Sequence, residues 1–131
     1  MLNKVLLIDD SEAINYIHNY ILEELGIVHE IIIKENGADA LAYLLDLITS
    51  NTPLPELIFI DINMPKMNAW EFFDAYQTID LEIRRQSHII LMTSSIDPAD
   101  MAKAKAITDI EAIKDKPFDE TVVKELLTRF F

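Results

Sequence analysis

Two adjacent carboxylates, Asp9 and Asp10, close a short apolar run made of Val5, Leu6, Leu7 and Ile8, and a third, Asp61, closes the run Leu57, Ile58, Phe59 and Ile60. An apolar stretch of this length that ends on an acid reads as a strand buried on both faces. If the two strands lie parallel and side by side, three acids meet at their carboxyl ends, where open α/β sheets place their sites. Like charges at about 4 Å repel by about 4 kcal/mol per pair in a medium of effective dielectric about 20. Such a cluster needs a positive partner, and an all-oxygen donor set favours a hard cation such as Mg²⁺.

Further reactive types fall at the carboxyl ends of other expected strands. Thr93 follows the fourth strand, with Ser94 and Ser95 after it, and Lys116 ends the fifth, just before Pro117 and Phe118. An acidic pair, a lone carboxylate, a hydroxyl and an ammonium on one rim have a coherent reading. Asp9 and Asp10 hold a divalent ion, and Asp61 is a nucleophile that attacks a phosphoryl group to form an acyl phosphate. The metal and Lys116 neutralise the phosphoryl oxygens, and Thr93 donates a hydrogen bond to one of them. Any one of these residues alone is better explained as an ordinary strand-end group; the set is better explained as a site. Lys114 lacks the Pro-Phe context of Lys116 and reads as a rim lysine.

The elements that must position these groups alternate along the whole chain. Strands are expected over 3–8, 28–34, 57–60, 89–92 and, more weakly, 110–113. Between them, Ser11 to Leu25 carries Ile14, Ile17, Ile21 and Leu25 as one helical stripe stopped by Gly26. Gly37 opens a helix with Ala38, Leu41, Leu44, Leu45 and Ile48 that ends before Pro53, and Trp70, Phe73 and Tyr76 sit at helical spacing on the next. A polar link from about Thr78 to Ser87 leads to the fourth strand. Asp97 with Pro98 behind it starts a helix to about Ile107, and Asp119 caps a last helix carrying Val122, Val123, Leu126, Leu127 and Phe130. Consecutive βα units imply an α/β fold, a parallel sheet with helices on both faces. No repeat or linker interrupts the pattern, so residues 1–131 read as a single domain with no output domain attached.

Composition narrows the class. Half of the 131 residues are hydrophobic, which argues against disorder, and no apolar run reaches the length of a membrane span. A net charge of −12, from 23 acidic and 11 basic residues, argues against direct nucleic-acid binding, which needs a basic stripe. The absence of cysteine removes disulfide, thiolate and zinc-thiolate chemistry, and the chain enters its first strand without a signal sequence. A cytoplasmic protein fits these features best. His18, His29 and His88 read as structural or exposed, Trp70, Phe72 and Phe73 as packing, and Phe130 and Phe131 as the end of the last helix's apolar face. Met64, Met67, Met92 and Met101 have no metal-binding spacing.

With these residues in view the chain resembles the receiver domains of two-component response regulators, of the stand-alone, chemotaxis-regulator-like kind. The resemblance runs from Lys4 to Phe130 and rests on Leu7-Ile8-Asp9-Asp10, Asn36-Gly37-Ala38-Asp39-Ala40-Leu41, Asp61-Ile62-Asn63-Met64-Pro65, Thr93-Ser94 and Lys116-Pro117-Phe118. It implies a flavodoxin-like (βα)5 fold with strand order 2-1-3-4-5. It implies that Asp61 accepts a phosphoryl group from a histidine kinase or histidine phosphotransfer protein and that the chain signals to a downstream protein target, as a monomer or weak homodimer. It also implies Mg²⁺ ligation by Asp10, Asp61 and the backbone carbonyl of Asn63, with Asp9 helping through water. Lys116 pairs with the phosphoryl group, across a cis Lys116-Pro117 bond. Asn63 and Ser95 stand where receivers tune the phosphoryl lifetime.

Three departures stand out. Ile113 occupies the place of an aromatic ring that rotates inward on activation, Ala69 replaces the usual glycine after Met67-Asn68, and Ala106-Ile107-Thr108-Asp109 replaces a Gly-Ala-type turn. The family's switch moves the Thr93 hydroxyl and repacks the face made by the helix after Asp97, the fifth strand and the last helix. With Ile113 in place, output relies on Thr93 and helix packing. Competing readings are weaker. An aspartyl-nucleophile phosphohydrolase wants a second Asp two places after Asp61, where Asn63 stands, and a flavin-binding module wants a phosphate loop where Asp9-Asp10-Ser11-Glu12 would repel phosphate. A degenerate receiver acting only as an interaction module is opposed by the intact acidic set.

Overall fold

In a computed structural model, which describes residues 1–94 and 97–131, eleven elements follow one another: β1 (Leu2–Ile8), α1 (Glu12–Leu25), β2 (Val28–Lys34), α2 (Gly37–Thr49), β3 (Leu57–Asp61), α3 (Ala69–Tyr76), α4 (Leu81–Arg84), β4 (His88–Thr93), α5 (Pro98–Ala106), β5 (Ile110–Asp115) and α6 (Glu120–Phe130). The strands form one parallel sheet in the order β2-β1-β3-β4-β5. The α/β class, the order 2-1-3-4-5 and the parallel pairing are as the sequence implies.

Strand periodicity divides the apolar residues between two cores. Leu6, Ile8, Ile58, Ile60, Ile89 and Leu91 point to the side covered by α2, α3 and α5, where Ala40, Leu44, Phe72, Phe73 and Tyr76 meet them. Val5, Leu7, Leu57, Phe59, Ile90 and Met92 point to the side covered by α1 and α6, against Leu22, Val123 and Leu126. Helices therefore lie on both faces, and the central strands have no wet side.

The caps work as their residue types require. Ser11, Asn36, Asn68, Asp97 and Asp119 each accept a backbone N–H of the first helical turn, and Asn68 with Glu71 forms a reciprocal capping box. Gly26 ends α1 at φ 62°, a left-handed position suited to glycine.

Three expectations need correction. The buried stripe of α1 is Asn15, His18 and Leu22, one position beyond the expected Ile14-Ile17-Ile21-Leu25, and Ile17 is 39% exposed. The helix is rotated because Asn15 and His18 carry hydrogen bonds inward, described below. The polar link before β4 contains the single helical turn α4, held by an ion pair of 2.6 Å between Arg84 and Asp109 and by the Arg84 Nε–H donating to the Ile79 carbonyl. β5 runs on to Asp115, so Lys116 stands just past the strand end.

Candidate functional site

Register brings the acids together. Ile8 of β1 pairs with Ile60 of β3, so Asp9 and Asp61 leave adjacent strands at the same level. One carboxylate oxygen each from Asp9, Asp10 and Asp61 lies within 4.8 Å of the others. Asp9 and Asp61 are buried while Asp10 is exposed, which opens the cluster to solvent on one side. The donor set is all oxygen and its charge is concentrated, so the residues present fit a hard divalent cation such as Mg²⁺.

Lys116 closes the opposite side. Its ammonium donates to Asp9 Oδ2 over 3.0 Å and pairs with Asp61 Oδ1 at 3.2 Å. Burial works against the charge on Lys116, but the hydrogen bond and charge of Asp9, and then Asp61, outweigh it and raise the pKa. At Asp61 the balance goes the other way. Desolvation first and the charge of Asp9 second push its carboxyl above the usual range, and Lys116 only partly offsets them.

The remaining groups arrive from neighbouring strand ends. Thr93 is buried at the end of β4, beside Asp115 in register, and its carbonyl accepts the Lys116 N–H over 2.9 Å. Asn63 is exposed in the loop after β3. That loop is closed by the Met67 N–H on the Pro65 carbonyl and the Ala69 N–H on the Ile62 carbonyl, with Lys66 at φ 65°. Ala69, in place of glycine, is fully buried at the start of α3. The Lys116-Pro117 bond is cis. Ser95 lies outside the described residues. Lys114 pairs with Glu125 at 2.8 Å, a rim contact as expected. Ile113 is half-buried and packs against the core that includes Leu91.

Three further residues take part in this geometry, Asn15 and His18 outside the quoted motifs and Gly37 within one. Asn15 donates from Nδ2 to the Asp9 carbonyl over 2.8 Å. His18, expected to be structural, is 2% exposed, and its Nε2 accepts the Phe118 N–H over 3.1 Å. Gly37 donates its N–H to the Met67 carbonyl over 3.0 Å, so the start of α2 holds the loop after β3. Only the polar pair at i and i+3 within an otherwise apolar helix face could have signalled Asn15 and His18.

Comparison with known proteins identifies the family and agrees with the fold. The family model described as the response regulator receiver domain matches residues 5–128, and the chain belongs to that family. It is 35% identical over 92 residues to response regulator Rcp1 of a Synechocystis species, across 69% of this chain but only 61% of Rcp1. It is 30% identical over 121 residues to protein PilG of Pseudomonas aeruginosa, across 89% of this chain and 78% of PilG. A two-component response regulator from Cytophaga hutchinsonii superposes with a TM-score of 0.88 at 32% identity, covering 98% of this chain and 96% of the other. No helix among the described residues is long and apolar enough to cross a membrane.

Proposed function

We propose that this receiver is an Mg²⁺-dependent phosphoacceptor whose nucleophile is Asp61. The observation that carries the reading is the three-carboxylate cluster bridged by one ammonium, since Lys116 holds Asp9 and Asp61 at once. In the proposed step a carboxylate oxygen of Asp61 attacks the phosphorus of a phosphohistidine on a histidine kinase or phosphotransfer protein. The P–N bond breaks, its electron pair stays on the imidazole, and an acyl phosphate forms on Asp61.

Mg²⁺, held by Asp10, Asp61 and the Asn63 carbonyl, supplies charge neutralisation for the phosphoryl oxygens when bound. Both oxygens of Asp9 are already engaged, one by the Ser11 N–H at 2.9 Å and the other by Lys116, which suits a role through water. Lys116 shifts from a carboxylate pair to the transferred phosphoryl group, and Thr93 donates a hydrogen bond to it. Beside the site α1 presents Tyr16 and Tyr20 to solvent, and Glu12, Tyr16, Ile33 and Glu35 line a groove between α1 and β2. We assign this side to the donor protein, and signalling to a downstream protein through the α5-β5-α6 face without direct contact to nucleic acid or membrane. A cytoplasmic monomer or weak homodimer accords with the acidic, cysteine-free composition.

The test offers the chain acetyl phosphate or beryllofluoride with and without Mg²⁺. Modification is expected only with Mg²⁺, lost in Asp61→Asn and strongly weakened in Lys116→Ala. Equal labelling of Asp61→Asn overturns the assignment, and multiple turnover of a small phosphate ester points instead to a phosphohydrolase.

A further inference from the structure

Lys116 can serve the site only if the short turn that carries it is held in place, and that turn has few backbone donors. Pro117 has no N–H, so the segment Lys116-Pro117-Phe118 offers two. The first, on Lys116, is taken by the Thr93 carbonyl at 2.9 Å. The second, on Phe118, is taken by a side chain from another part of the fold, His18 Nε2 at 3.1 Å. The two rings also stack, with centroids 3.8 Å apart and planes 7° from parallel. On its other contact Phe118 leans on Phe59 of β3 at 4.7 Å, two residues before Asp61.

We propose that His18 is a positioning residue for the phosphoryl-transfer site, fixing the Lys116 turn by accepting the Phe118 N–H and stacking on its ring. The proposal deepens the phosphoacceptor reading and rests on it for the role of Lys116. An apolar residue of similar size in α1 would fill the space and pack on Phe118, but it would leave a buried N–H without an acceptor. Acceptance at Nε2 requires that nitrogen to be unprotonated. Burial first, and the nearby Lys116 charge second, lower the His18 pKa to about 4, so the ring is neutral at physiological pH. His18 reaches the turn from α1, whereas the carboxylates come from the ends of β1 and β3. A fault at His18 therefore reaches Lys116 first, through the turn, although His18 also lines one small cavity with Asp9 and Asp61.

The experiment compares His18→Leu, which keeps bulk and loses the acceptor, with His18→Gln, which returns an acceptor. Phosphorylation by acetyl phosphate should slow by about ten- to a hundredfold in His18→Leu, the order that a misplacement of about 1 Å costs. Mg²⁺ affinity, measured by calorimetry without any phosphodonor, should be no weaker than in the parent. The Lys116 ammonium should give a slowly exchanging ¹⁵N–¹H signal in the parent and in His18→Gln, broadened or lost in His18→Leu. Unchanged rate and signal in His18→Leu, or a His18→Gln as impaired as the leucine variant, overturns the proposal. So does an equal fall in Mg²⁺ affinity, which marks general damage. If His18→Leu does not fold, retention or loss of rate and signal in His18→Gln decides. Should the parent itself resist phosphorylation, the phosphoacceptor reading fails, and the ammonium signal still tests the positioning by itself.

Discussion

Gly37 and Met67 meet backbone to backbone: the Gly37 N–H donates to the Met67 carbonyl over 3.0 Å, and a Cβ on Gly37 would lie 2.6 Å from that same oxygen. Helix propensity alone favours Gly37→Ala by about 1 kcal/mol. The contact reverses the sign, because the obstructing atom is a main-chain carbonyl rather than the end of a flexible side chain. Gly37→Ala should therefore lower stability by about 1 to 3 kcal/mol, the usual cost of overpacking. It should also weaken Mg²⁺ binding, since the loop displaced is the one carrying Asn63. Thermal melts with and without Mg²⁺ check both; a stabilised variant with unaltered Mg²⁺ response contradicts the expectation.

Asp61→Asn should make the protein more stable while abolishing phosphorylation. Burial and Asp9 raise the Asp61 pKa, so the folded state prefers the neutral carboxyl. A group shifted this way contributes its stability below its unfolded pKa and loses it as pH rises through the folded value. At neutral pH its charge is a cost, and an uncharged amide removes it. A gain in stability is expected in denaturant titration at pH 7 without metal, because the buried charge beside Asp9 is gone. In the parent, Mg²⁺ should recover a similar stabilisation by binding the folded state alone.

His18 should give the protein an acid-sensitive limb. Its folded pKa is about 4 against an ordinary value of 6.5, so the stability tied to the neutral ring is fully present above 6.5 and falls away as pH drops through that window. At about 1.4 kcal/mol per unit the total is about 3 kcal/mol. Denaturation curves taken between those two pH values should descend more steeply for the parent than for His18→Leu. Parallel curves for the two proteins refute this.

Arg84→Ala should destabilise by roughly 1 to 3 kcal/mol, because the Arg84–Asp109 pair is largely shielded and its loss strands the aspartate. The same variant should loosen α4, read as faster amide exchange over residues 81–86 than in the rest of the chain. Unchanged exchange there shows that α4 is held by other contacts.

How far the sequence foretells this protein depends on the kind of interaction. Strand positions followed from apolar runs, the strand order from the family resemblance that the motifs carry, and Asp9, Asp10, Asp61, Thr93 and Lys116 do gather on one rim. Periodicity failed on α1, where Asn15 and His18 face inward through hydrogen bonds to Asp9 and Phe118. Hydropathy ranks these side chains as outward and carries no record of partners distant in sequence. The turn α4 escaped for a related reason. Its capping Asp80 is legible, but the Arg84–Asp109 pair that holds it spans 25 residues.

Trp70 is the chain's single tryptophan, half-buried at the start of α3, with the Lys103 ammonium of α5 at 5.7 Å from its ring. α3 follows the loop after Asp61, and α5 follows the segment after Thr93. One indole thus lies between the helix that follows the loop after Asp61 and the helix that follows Thr93. Its fluorescence is expected to change if α3 and α5 move against each other, which would make the protein its own optical gauge, with no label attached.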